Sequence, residues 1–168
     1  MKNLLCIVAL LALVPIAYAQ SPLQKELQRE HDRQVSAFNK KDVAGFMAHY
    51  SPELKVTPVH GAPMDFATWK GFIADIAPGV RRVVKHQHKI IKLVAEGPEW
   101  RSTVDEHEAY DIKDVAGMFG EKNKPHHLTN HSQYEEVWTK TKTGWKVREL
   151  KMLSEKQTLD GKPFPMAG

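Results

Sequence analysis

The chain has 168 residues and a formal net charge of +4, from 24 Lys and Arg against 20 Asp and Glu, with nine His and one Cys. That length suits one domain with a sizeable core. Acidic and basic residues are interspersed, so no basic face for nucleic acid stands out and a nucleic-acid partner is not expected.

Lys2 precedes an apolar run from Leu4 to Ile16, broken only by Pro15, and Ala17-Tyr18-Ala19 follows. A positive start, a short apolar run and a small-x-small ending are the features of an export signal over residues 1–19, cut before Gln20. The run is too short for a permanent span. Cys6 lies too early to serve as a lipid-anchored cysteine. The expectation is an exported chain, periplasmic or extracellular, free of the membrane once cut. Removing residues 1–19 takes away Lys2 and the only cysteine, leaving 23 basic and 20 acidic residues, a net +3. Disulfides are then unavailable, and stability must come from packing.

Leu23, Leu27, His31, Val35 and Phe38 recur every three or four residues, which predicts a helix over Pro22 to Asn39 with Pro22 in its first turn. Asp42 is placed to cap a shorter helix with Val43, Phe46, Met47 and Tyr50 inward, ended by Ser51-Pro52. A short strand, Leu54 to Thr57, comes next. Asp65 can cap a third helix carrying Phe66, Trp69, Ile73 and Ile76, which Pro78-Gly79 stops. The period then changes. Val80 to Glu96, Trp100 to Ile112, His127 to Thr141 and Trp145 to Leu159 read as strands, with turns at Gly97-Pro98 and Thr143-Gly144. Lys113 to His126 is a long loop. One domain spans 20–160, and 161–168 reads as a loosely held tail.

These strands are longer than the usual five or six residues, and several lack a clean apolar face. A flat sheet beside one helix would leave its ends wet. A strongly bent antiparallel sheet wrapped around the N-terminal helices packs its base and leaves a polar mouth. The fold class expected is α+β and cone-shaped.

Two stretches carry a family resemblance. Phe38 to Tyr50 runs helix, polar residues, Asp, short helix. Glu135-Glu136-Val137-Trp138-Thr139, then Lys140 to Gly144, then Trp145-Lys146-Val147 forms a closing hairpin. In these the chain resembles the SnoaL-like branch of the nuclear transport factor 2-like superfamily, over roughly residues 24 to 155. The resemblance implies a cystatin-like cone with a small-molecule pocket. It also implies dimerisation in many members and catalysis in some. In steroid-isomerase-like members a carboxylate base precedes a Pro-Val-Gly-like stretch; here Thr57-Pro58-Val59-His60-Gly61 puts Thr57 at that position. A threonine hydroxyl is no acid–base group near neutrality, so His60 is the weaker substitute candidate.

Dehydratase-like members use His and Asp inside the cone. Asp105 and His107 share one strand face, His131 sits on the next strand, and Tyr134 could donate a hydrogen bond. Asp105, His107 and His131 are therefore the catalytic candidates, with Tyr134 and Trp69 as ligand-binding candidates. Glu106 and Glu108 hold the alternate face, and sequence alone does not fix which set points inward. His86 and His88, and later His126, His127 and His131, could ligate a divalent ion. No HExxH or paired-Cys spacing supports this, and Lys85 and Lys89 alternate with the first pair. No metal ligand set and no cofactor are assigned.

Three function classes follow. The first is an exported module binding an unknown small molecule or a partner without catalysis. The second is a lyase or isomerase using His and Asp, and the third is a metal binder. Loss of the carboxylate at Thr57 tips the balance to the first. A homodimer through the open sheet face is a further expectation.

Overall fold

The computed structural model describes residues 20–120 and 122–164, so the expected export signal lies outside the described residues. Among the described residues no helix is long and apolar enough to cross a membrane. Helix α1 spans Pro22–Asn39, and Ser21 caps it by accepting the Gln24 N–H at 3.1 Å. Leu27, His31, Gln34 and Phe38 form its buried face. Asp42 accepts the Gly45 N–H at 2.8 Å and starts α2, Val43–Met47. Asp65 does the same for Thr68 and starts α3, Phe66–Ile76, which runs into a 3-10 turn at Ala77–Gly79.

Among the described residues, seven strands occur: β1 (Tyr50–Thr57), β2 (Met64–Asp65), β3 (Val80–Glu96), β4 (Glu99–Lys113), β5 (Pro125–Thr141), β6 (Gly144–Leu159) and β7 (Lys162–Pro163). They form one sheet in the order β2-β1-β6-β5-β4-β3, with β7 also on β6. Every pairing is antiparallel except β1 with β6. Register shifts in β3 after Val80, Val83 and Ile90, and between β5 and β6, bend the sheet around the helices. Leu27, Phe38, Phe46, Leu54, Val56, Ile73, Ile90, Val104, Trp138 and Val147 fill the base.

Three expectations need correction. The second helix stops at Met47, and Tyr50 already belongs to β1. Pro52 is tolerated there because it falls in the irregular stretch between the Tyr50–Val147 and Lys55–Glu149 pairings, where no ladder N–H is required. The loop after β4 is shorter than expected, because β5 begins at Pro125. Buried Asp114 organises that loop by accepting the N–H groups of Met118 and Phe119. Finally, residues 162–164 are tied down: β7 pairs with β6, and the Phe164 N–H donates to Gln157 O at 3.0 Å.

The edge strand β3 is covered from α1. The Gln28 side-chain amide donates to His88 O at 2.7 Å and accepts the Ile90 N–H at 3.1 Å, as a neighbouring strand would. Gln24 adds a bond to Ile90 O at 3.0 Å.

Candidate functional site

Alternation along the central strands decides which residues line the cone. On β4, Ser102, Val104, Tyr110 and Ile112 are buried against the helices, so Glu106 and Glu108 share their face. On β5, the face containing Tyr134 and Trp138 also carries Asn130, Ser132 and Glu136. From β3 come His86 and His88, directly paired with Glu108 and Glu106. Helix α1 contributes His31, and the link between α2 and β1 contributes His49. The cone therefore holds four imidazoles and three carboxylates.

Near the mouth, His88 Nε2 lies 2.7 Å from Glu106 Oε1, and His86 Nε2 lies 3.4 Å from Glu108 Oε1. The two histidine Nε2 atoms are 3.2 Å apart, and Asn39 Oδ1 meets His86 Nδ1 at 3.1 Å. Ser132 donates to Glu106 at 2.6 Å. Tyr110 donates to Glu108 Oε1 at 2.7 Å, and Asn130 donates to its Oε2 at 3.1 Å. The Glu106 and Glu108 side chains keep 14% and 20% of their surface, so solvent reaches the cluster through them. Deeper in, His31 Nδ1 and His88 Nδ1 are 3.2 Å apart, with Tyr134 Oη 3.3 Å from the latter. Below these, Glu136 stands between His31 and His49, and Gln34 donates to Tyr50 Oη at 2.7 Å.

Burial separates the charge states. It pushes Glu108 up to about 7, reinforced by the Glu106 charge. Burial would also raise Glu106, but the His88 charge and hydrogen bond hold it below the usual carboxylate range. Burial lowers His88, yet Glu106 outweighs it and the net direction is upward. Burial brings His86 down to about 3 and His49 to about 4. Glu136 is lowered: burial opposes ionisation, but His31 and His49 favour it. The environment thus splits two neighbouring glutamates, which is how one site comes to hold both an acid and a base near neutral pH.

The residues picked from sequence are distributed differently. Asp105, His107 and His131 do meet: the two Asp105 oxygens lie 3.1 Å from His107 Nε2 and 3.0 Å from His131 Nε2, and the rings stack at 4.0 Å. The correction is their place. They alternate with Glu106 and Glu108 and therefore stand on the outer sheet face, with His107 and His131 side chains 37% and 48% exposed. His60 is exposed in the β1–β2 link. Trp69 stacks on Phe72 and meets Tyr50 edge-on, supporting the base of the cone. Tyr134 alone of the six lies within the inner cluster.

Of the histidines weighed for metal, His86 and His88 enter the cone. His126 pairs with Asp160, and His127 with Asp111. Among the described residues, three groups bring ligand atoms close enough for an ion: His86 with His88, Glu106 and Glu108; His31 with His49 and Glu136; and Asp105 with His107 and His131. A cavity of about 250 Å³ lies elsewhere, lined by Lys55, Thr57, Arg101, Glu135, Glu149, Leu150 and Lys151.

His31, His49 and Glu136 were not singled out from sequence as site residues. A lone His on an apolar helical stripe reads as core. The readable signal was Glu136, which period two places between Tyr134 and Trp138 on an aromatic face.

No protein-family model matches the sequence, and no curated protein is similar to it in sequence. Solved structures do match in shape. A candidate scytalone dehydratase from Novosphingobium aromaticivorans superposes with a TM-score of 0.65 at 12% identity, over 81% of this chain and 86% of that one. A type 2 hexachlorocyclohexane dehydrochlorinase gives 0.58 at 12% identity, over 86% and 98%. A domain of unknown function with a cystatin-like fold from Nostoc punctiforme gives 0.56 at 13%, over 79% and 78%. The chain is thus an α+β cone of the cystatin-like type. Within that type, its fold is the one found in nuclear transport factor 2-like proteins.

Proposed function

We propose that the mature protein is an exported enzyme of small-molecule elimination or isomerisation, working at the mouth of the cone. The observation that carries this reading is the pair Glu106 and Glu108, two residues apart on β4, one held ionised and the other raised to about 7. A carboxyl poised near the working pH is a competent proton carrier. Glu108, fixed by Tyr110 and Asn130, would take a proton from a carbon next to a carbonyl. The electron pair left behind would either expel a β-substituent, which leaves with its bonding electrons, or take the proton back from Glu108 at another carbon, with the His88–Glu106 pair beside it to stabilise the developing charge. The names of two structural neighbours, a dehydratase and a dehydrochlorinase, describe eliminations of this kind. Their low identity gives fold likeness only, so the chemistry rests on the cone residues.

The test needs no known substrate. Small enolisable ketones and β-hydroxy carbonyl compounds are incubated with the protein in deuterated buffer, and mass spectrometry reads deuterium gained at carbon. Exchange with at least one compound is expected, falling roughly 10²-fold or more in Glu108→Gln. No exchange across the panel, or equal exchange in the variant, refutes the reading.

A further inference from the structure

Beneath the mouth lies a second cluster that the proposed proton transfer does not use. His31 comes from α1, His49 from the α2–β1 link and Glu136 from β5, and their side chains are 0%, 2% and 1% exposed. Four of their polar atoms are buried without a hydrogen-bond partner: His31 Nε2, both ring nitrogens of His49, and Glu136 Oε1. Buried polar groups in folded proteins are normally satisfied, and three of these four, His31 Nε2, His49 Nε2 and Glu136 Oε1, converge on one place and need an explanation.

We infer that His31, His49 and Glu136 bind one divalent transition-metal ion of the zinc type. The distances suit this. His31 Nε2 lies 3.0 Å from Glu136 Oε2, off the line of a hydrogen bond, and His49 Nε2 lies 3.7 Å from Glu136 Oε1. Ligands about 2.0–2.1 Å from a tetrahedral ion sit ~3.4 Å apart, between those two values. The His31 and His49 ring centroids are 5.1 Å apart. Two imidazoles on one tetrahedral ion would place them ~5 Å apart. Two nitrogens and one carboxylate oxygen form the donor set of many zinc sites, and other borderline ions such as cobalt share it.

The surroundings are those of oriented ligands. His31 Nδ1 faces His88 Nδ1 at 3.2 Å, which leaves Nε2 turned to Glu136. Ser102 accepts the Trp138 indole N–H at 2.9 Å and donates to Glu136 Oε2 at 3.3 Å, so the carboxylate cannot swing freely. Both histidine rings stand edge-on to Trp138. A cation would neutralise a carboxylate sealed from water, whose uncompensated burial is costly. The other two groups lack this signal. Both Glu106 and Glu108 oxygens already have partners, and Asp105 joins both outer histidines.

A sealed site is filled as the chain folds. The protein, without a histidine tag, is therefore produced in medium supplemented with zinc or cobalt and dialysed, and its metal content is measured. One ion per chain is expected in the native protein and in His86→Gln and His107→Gln, with cobalt giving the strong visible absorption of a tetrahedral site. His49→Gln is expected to fall to background while its near-ultraviolet circular dichroism shows a folded core. No stoichiometric metal in the native protein, metal retained in His49→Gln, or metal lost with His86 or His107 overturns the inference. If His49→Gln does not fold, native crystals grown with zinc decide. An anomalous peak between His31, His49 and Glu136 supports the site, and its absence there refutes it. Glu108 exchange activity can fail independently, since these readouts do not depend on it.

Discussion

The raised Glu108 carboxyl has a consequence for stability that can be measured without a substrate. Its folded value of about 7 stands above the ordinary 4.5, so between them the folded state holds a proton that the unfolded chain releases. Stability must then fall as pH rises through this window, and the full cost is present above about pH 7. The difference of 2.5 units (7 − 4.5) corresponds to about 3 kcal/mol at about 1.4 kcal/mol per unit. Glu108→Gln keeps the shape and removes the charge. Its carbonyl can accept the Tyr110 hydroxyl while its amide donates to Asn130 once that side chain flips to present its otherwise unpaired Oδ1, so no partner of Glu108 is stranded. Urea denaturation of both proteins from pH 5 to pH 8 is the assay. The advantage of the variant should grow by about 2.5 kcal/mol across that range, roughly 5–10 °C in Tm, because part of the cost is already present at pH 5. Titrating groups remote from Glu108 are shared by both chains and cancel in the difference, whereas Glu106 and His88 interact with Glu108 and contribute to it. Parallel curves would show that Glu108 titrates normally and would remove the basis for its role as proton carrier.

Other substitutions test the framework. Gly79→Ala would drive a methyl into the Lys113 carbonyl and to 3.2 Å from Ile112 Cγ1; thermal melts should show a loss of about 1–3 kcal/mol, because backbone cannot step aside cheaply. Asp42→Ala removes the cap of α2 and should cost about 1 kcal/mol in chemical denaturation. His107→Ala, on the outer face, should leave deuterium exchange at native rates and shift Tm by no more than a few degrees. Loss of exchange in that variant would instead place the chemistry on the outer face.

The architecture was readable because from Val80 onward the hydrophobic period is strand-like throughout, after a mainly helical first half. The bounds of α1 and β3 follow from Pro22, Asn39, Pro78-Gly79 and Gly97-Pro98. The inward face of β4 was not readable. Asp105 with His107 and Glu106 with Glu108 are equally good alternating pairs, and only docking of α1 selects between them. That docking depends on the register shifts of β3, which leave no local mark in composition. The inner cluster was hidden for a different reason. His31, His49 and Glu136 come from three elements separated by up to about a hundred positions, and no spacing rule joins them.

The Gln28 amide laid along β3 bears on how the chain avoids its neighbours while folding. β3 is a long edge strand rich in Val and Ile, and a bare edge of that kind invites pairing with another molecule. Between His88 and Ile90 its cover is a side chain some sixty positions upstream. Until α1 docks, intramolecular capping therefore competes with association between chains, and the outcome depends on protein concentration. The α1 segment is synthesised before β3, so it is available to dock when β3 emerges. One glutamine thus serves as both a structural bond and a safeguard against misassembly.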